Sequence, residues 1–305
     1  MNNIRFLQRK EIDTDKWNEL INNSFNTLPY ALSWYLDAVA ENWGALVLND
    51  FEVVMPLVWL RKMAIKCVYQ PYYCQQLGVF SGKSLTAGVH RAFLKTAAKH
   101  FPYIHINLNP TSKIVAEEFS LTKKKNLLLA LDKDYVSIQK KYSASHRRNI
   151  VKANKSLLVF SEWVDLKSFQ SFYLSNVNRT KENFKSQHEK IFKKLTHSLV
   201  AEKQAAIYTA CNEKGNLLAA VLIVFHNNRL IGIINTSSAA GKKDCASHFL
   251  FDQIIKKFSN SDFILDFEGS SIASIARFYG GFGAVEEVFY NYKTTFLKDF
   301  RQRFS

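Results

Sequence analysis

Two stretches of this chain carry the same order of hydrophobic periodicities, and that repetition limits the fold more than any single motif. In the first stretch, helical spacing over residues 16–23 and 31–42 precedes β-rich runs at 45–50, 51–60 and 65–70, then a helix over 86–100 and a strand over 103–109. The second repeats the order: helices over 166–177 and 187–202, strands over 205–211, 217–226 and 229–237, a helix over 246–258, and an apolar run at 263–269. Turn residues at 212–215 and at Asn227 and Asn228 separate long apolar runs, so the middle of each half should be an antiparallel meander that a helix then returns to the sheet. The expectation is an α/β (α+β) chain of two tandem domains, 1–133 and 156–305, each a mixed, mostly antiparallel sheet flanked by helices. A linking helix over 134–155 joins them, and the second domain carries the site.

The length of 305 residues fits that count, because single domains usually close at about 100 to 200 residues. The N-terminus lacks the apolar run of a signal peptide, and no stretch reaches the roughly 18 apolar residues of a spanning helix, which places the protein in the cytoplasm with peripheral contact to a membrane surface left open. Cys67, Cys74, Cys211 and Cys245 are scattered without paired spacing, so neither a disulfide frame nor a zinc site is indicated. The eight histidines are equally dispersed, and no metal is expected.

Lys and Arg number 41 against 26 Asp and Glu, a net charge of +15 that attracts polyanions such as RNA, a membrane surface or a phosphorylated ligand. Part of that surplus lies in the linking helix. There Tyr135, Ile138 and Tyr142 share one helical face, while Lys141, Arg148, Lys152 and Lys155, with Arg147 beside them, form a cationic stripe able to follow a line of phosphates.

Three segments could carry chemistry. Asp266 and Glu268 end an apolar strand, and their spacing puts both carboxylates on one face, where a like-charge pair would raise one pKa toward a general-base role. The stretch from Asn235 through Thr236 and Ser237 to Lys243 leaves a strand as a polar loop ahead of a helix, a place where backbone N–H groups receive an oxyanion or phosphate. In the first half, Tyr72 and Gln75 follow a strand and, with Trp34, could wall a groove for a polar substrate. No GxSxG elbow, P-loop or dinucleotide fingerprint occurs, which leaves group transfer without a resident cofactor as the reading.

The segments KKYSASHRRNIVKA, INTSSAAGKK and LDFEGSSIASIARFYGGFGA, taken in order, resemble the FemABX family of tandem acyltransferase-fold proteins. The resemblance implies two GNAT-like domains and transfer of an aminoacyl group from aminoacyl-tRNA to an amine of a peptidoglycan precursor, a phosphorylated, nucleotide-linked acceptor. On that reading Glu268 accepts the amine proton or orients the acceptor, with Asp266, Gly269 and Ser270 beside it. Asn235, Thr236 and Ser237 face the acyl carbonyl, and Arg277 with Tyr279 secures an anionic group. Two alternatives stay open: an N-acyltransferase that uses acyl-CoA, and a non-catalytic protein of the same fold that binds RNA or a membrane surface.

Overall fold

A computed structural model describes residues 4–62, 65–114, 119–162, 165–177, 186–268 and 272–294. The chain folds as two compact units, residues 1–124 with 288–305, and residues 125–287. In chain order the elements of the first half are β1 (Ile4–Gln8), α1 (Thr14–Asn23), α2 (Ser33–Val39), β2 (Trp43–Leu48), β3 (Val53–Lys62), β4 (Ile65–Tyr69), β5 (Phe80–Ser81), α3 (Ala87–His100), β6 (Tyr103–Leu108) and β7 (Leu121–Ala130). Then come α4 (Tyr135–Gln139), α5 (Ala144–Lys155), β8 (Val159–Ser161), α6 (Leu166–Asn176), α7 (Ser186–Ala201), β9 (Ala205–Cys211), β10 (Leu217–His226) and β11 (Arg229–Ser237). The chain continues through α8 (Ala239–Lys243), α9 (Ala246–Phe258), β12 (Ile264–Asp266), α10 (Ala273–Gly280) and β13 (Val285–Lys293).

The same pairing order recurs in both units. In the first, β1, β2, β3 and β4 form an antiparallel meander, α3 follows, and β6 returns parallel to β4. In the second, β8, β9, β10 and β11 form the meander, α9 follows, and β12 returns parallel to β11. Each returning strand then takes an antiparallel neighbour from the other half of the sequence: β13 pairs with β6, and β7 pairs with β12. That exchange moves the division of the chain from the expected 133 to 124, and sends the C-terminal strand back to the first unit.

Each unit has its own core. Leu46, Met55, Val68, Phe93, Phe101 and Ile104 build the first, and α3 contributes one apolar stripe to it. Tyr208, Val221, Leu230, Phe251, Ile254, Leu265 and Phe282 build the second.

The expected linking helix is two helices, and it belongs to the second unit. Ser143 adopts an extended conformation, its hydroxyl accepts from the His146 N–H, and its own N–H donates to Gly281 O at 2.8 Å, so it caps α5 and ends any continuous helix. Ile138 and Tyr142 on one side of the break and Ile150 and Ala153 on the other are all buried in the second core.

Candidate functional site

Strands β11 and β12 run parallel, but their register covers only Arg229–Ile231 against Ile264–Asp266. Beyond those residues β11 continues to Ser237, and among the described residues its strand partner there is β10. A cavity of about 540 Å³ opens where the two strands part, at their carboxyl ends, which is where open α/β sheets bind ligands. Gly232, Ile233, Asn235 and Ser237 line it from β11, Phe267 and Glu268 from the residues after β12, Cys245, Ser247 and His248 from the start of α9, and Ser274, Ile275, Phe278 and Tyr279 from α10.

Backbone irregularities aim these side chains. The β10–β11 register slips so that Leu222 faces Ile234 while Ile223 faces Gly232, a bulge at Ile233 that turns both Gly232 and Ile233 toward the cavity. Where β9 meets β10 a second slip falls at Leu218, whose carbonyl accepts the Ser238 N–H at 3.0 Å. A Cβ on Gly241 would stand 2.0 Å from that same carbonyl oxygen, so only glycine lets α8 sit this close to β10.

Glu268 is the buried carboxyl of the cavity lining. It is 9% exposed, its backbone is left-handed at φ 48°, and burial pushes its carboxyl well above the ordinary range. A non-glycine residue in this conformation costs on the order of 1 kcal/mol, so the surroundings over-determine it. Asp266 holds it there by accepting the Glu268 N–H at 3.2 Å. The other bonds of Asp266 go to Arg229 at 2.9 Å and to the Asn126 amide at 2.9 Å, and Arg229 also reaches Glu287 at 3.2 Å. The expected carboxylate pair on one strand face is therefore corrected: β12 ends at Asp266, the left-handed turn at Glu268 breaks the alternation, and burial raises the Glu268 pKa.

The remaining expected residues fall in different places. Asn235 and Tyr279 are brought together, the amide donating to the phenol oxygen at 3.4 Å, while Asn235 Oδ1 is buried and has no partner among the described residues. Tyr279 stacks on Phe267 at 4.6 Å, and burial pushes its hydroxyl up to about 12. Ser237 joins them in the lining, whereas Thr236, one residue out of phase on β11, is buried and does not line the cavity. Arg277 is exposed and stands outside the lining. Gly269 and Ser270 lie outside the described residues. Trp34, Tyr72 and Gln75 belong to the first unit: Trp34 packs on Tyr35, Tyr72 is exposed, and the Gln75 carbonyl accepts from Asn107 at 2.8 Å. Lys141, Arg147, Arg148, Lys152 and Lys155 are all exposed.

Sequence reasoning missed His248. It lies in the first turn of α9, receives the Asn149 amide at 3.0 Å on Nε2, and therefore carries its proton on Nδ1. Burial and the neighbouring His146, 4.7 Å away between ring centres, lower its pKa to about 4, so the ring is neutral near pH 7. Its one sequence signal was its place directly after the polar loop already marked for anion binding. Among the described residues no three His, Cys, Asp or Glu side chains gather as a metal site, and no helix is long and apolar enough to cross a membrane.

No family model matches the chain, and neither does any curated protein. Solved structures do. FemX aligns with a TM-score of 0.65 at 11% identity, over 94% of this chain and 96% of that one. L-PGS from Bacillus licheniformis aligns with a TM-score of 0.56 at 14% identity, over 92% and 91%. The C-terminal domain of an Agrobacterium fabrum protein named as a lysylphosphatidylglycerol synthetase gives 0.56 at 10% identity, over 93% and 92%. At these identities the likeness establishes the fold.

Proposed function

For a chain that carries the fold of FemX and L-PGS, we propose that the cavity of the second unit is the active site of an acyl- or aminoacyl-transferase whose acceptor is an amine. One observation carries this reading: Glu268 stands buried in the cavity, in a strained backbone conformation, with its proton affinity raised by burial. The carboxylate form of an acid whose pKa is raised is a stronger base toward the proton of an attacking amine than an ordinary carboxylate. The Oδ1 of Asn235, which has no partner among the described residues, offers a second acceptor to the same amine.

The reaction follows from that placement. The amine nitrogen attacks the acyl carbonyl carbon, a C–N bond forms, and Glu268 takes the amine proton. The carbonyl oxygen becomes an oxyanion, which on this reading is stabilised by the Ser237 hydroxyl and the N-terminal turn of α9, both of which line the cavity. Collapse breaks the bond to the leaving oxygen or sulfur, which departs with the proton from Glu268. No covalent enzyme intermediate is needed, since positioning and oxyanion stabilisation supply most of such a rate enhancement. Asp266 acts through Glu268 as a positioning residue.

The donor is an aminoacyl-tRNA or an acyl-CoA, and the acceptor amine belongs to a phosphorylated or nucleotide-linked molecule such as a cell-wall precursor. Glu268→Gln keeps the shape of the side chain and removes the base. It should lower turnover by about 100-fold or more while the melting temperature holds. Unchanged turnover in this variant would remove Glu268 from the mechanism. Thermal shift separates the donors, because stabilisation by a CoA thioester and not by charged tRNA assigns the acyl-CoA reading.

A further inference from the structure

The face of α5 turned away from the second core has a composition that the proposed chemistry does not use. Positions 146, 150 and 153 of this helix are buried, and Arg147, Arg148, Val151, Lys152 and Lys155 occupy the opposite, exposed side. From Tyr135 to Ser161 the sequence holds Lys140, Lys141, Arg147, Arg148, Lys152 and Lys155 and no Asp or Glu. Among the described residues none of these six cations is ion-paired; the Arg147 guanidinium donates to the Tyr142 carbonyl and the rest face solvent.

Aliphatic residues stand exposed in the same segment. Val151 is 56% exposed in the midst of the cations of α5, and Leu157 is 59% exposed just past its end. Val136 on α4 and Val159 on β8 are exposed as well, so four of the ten large apolar residues that stand exposed among the described residues fall between 136 and 159. A helix face that is cationic and also presents bare aliphatic groups has the composition of an interfacial surface: the charges meet anionic headgroups, and the apolar side chains enter the headgroup–acyl boundary. A surface for single-stranded nucleic acid would instead place aromatic rings among its cations for base stacking. The described side chains exposed here between the cations are aliphatic or small and polar, with no exposed ring.

We propose that the α5 face, with Leu157 and Val159 at its end, docks on an anionic lipid bilayer surface. The docking does not depend on the catalytic reading of Glu268, which lines a cavity elsewhere in the same unit. It would hold the second unit at a membrane where a lipid-linked molecule is within reach.

Co-sedimentation of the full chain with vesicles tests this. The protein should pellet with vesicles of phosphatidylcholine mixed with phosphatidylglycerol, stay in the supernatant with phosphatidylcholine alone, and be released by salt. Arg147→Gln, Arg148→Gln and Lys152→Gln combined should weaken vesicle binding by about 100-fold, at roughly five-fold per cation. Val151→Ser with Leu157→Ser should weaken it by about ten-fold and leave any tRNA binding as it was. All five side chains are at the surface, so the variants keep their fold, which circular dichroism verifies. Glu268→Gln should bind vesicles like the parent chain, which separates failure of the docking surface from failure of the active-site reading. Absence from phosphatidylglycerol vesicles at low salt overturns the proposal. So does a serine pair that binds them unchanged, or a glutamine triple variant that loses tRNA while keeping vesicles, because the stripe is then a nucleic-acid surface.

Discussion

Gly281 shows how tightly single positions around the cavity are set. A Cβ there would stand 2.1 Å from the His146 ring. That ring has no room to retreat, because its Nε2–H donates to the Phe278 carbonyl at 2.7 Å and its Nδ1 meets the Ser143 hydroxyl at 3.1 Å. Gly281→Ala should therefore cost about 2 kcal/mol of stability through overpacking, read as a lower urea midpoint. Gly280, one residue earlier, lies in the last turn of α10, and a Cβ there would meet nothing within 4 Å, so Gly280→Ala should leave the midpoint unchanged or raise it slightly. The two glycines are indistinguishable in the sequence, and only the approach of α5 to the turn separates them. Glu268 and Asp266 teach the same lesson. Their spacing was legible as two carboxylates at a strand end, but the left-handed turn that divides them between cavity and ion pair was not.

At the scale of elements, α4 is tied to α9 through Tyr135: its hydroxyl lies 2.8 and 3.0 Å from the two Asp252 carboxylate oxygens and donates to them, and the Lys256 ammonium lies over its ring. Asp252 is buried, and burial raises its pKa against the pull of that bond. Tyr135→Phe leaves the carboxylate short of a donor and should destabilise the protein by roughly 1–2 kcal/mol in urea titration. The strands Ala205–Cys211, Leu217–His226 and Arg229–Ser237 and the helix Ala246–Phe258 were legible to the residue, because long apolar runs meet turn residues at both ends. The linking helix was misread for the opposite reason: its apolar spacing continues across Ser143, and the capping bond that breaks it is local. Strands β7 and β13 gave no sequence signal. Each carries charged residues near its start, Lys123 to Lys125 in β7 and Glu286 and Glu287 in β13, and each is held as a strand by a partner far away in sequence, β12 or β6.

Across the whole molecule, acid should unfold this protein early. His90 in the first unit and His226 in the second are buried, and burial lowers each pKa to about 4. An unfolded histidine binds its proton near 6.5, so the unfolded chain holds more protons throughout the window between the two values. The stability these neutral rings contribute is complete above about pH 6.5 and is lost as the pH falls through about 4. Each ring should cost on the order of 2 kcal/mol once protonated. Urea unfolding at pH 7 and at pH 4.5 measures the loss, and His226→Gln should flatten the difference.

The sequence by itself determined the repeated order of meander, helix and returning strand, since periodicity and turn chemistry act over a few neighbouring residues. It also marked Glu268, Asn235, Ser237 and Tyr279, which the fold gathers around one cavity. Tertiary structure alone decided where β11 and β12 part, which carboxylate enters the opening, that His248 joins it, and that each unit completes its sheet with a strand from the other half of the chain. Those outcomes depend on contacts between residues far apart in the sequence, and no local pattern encodes them.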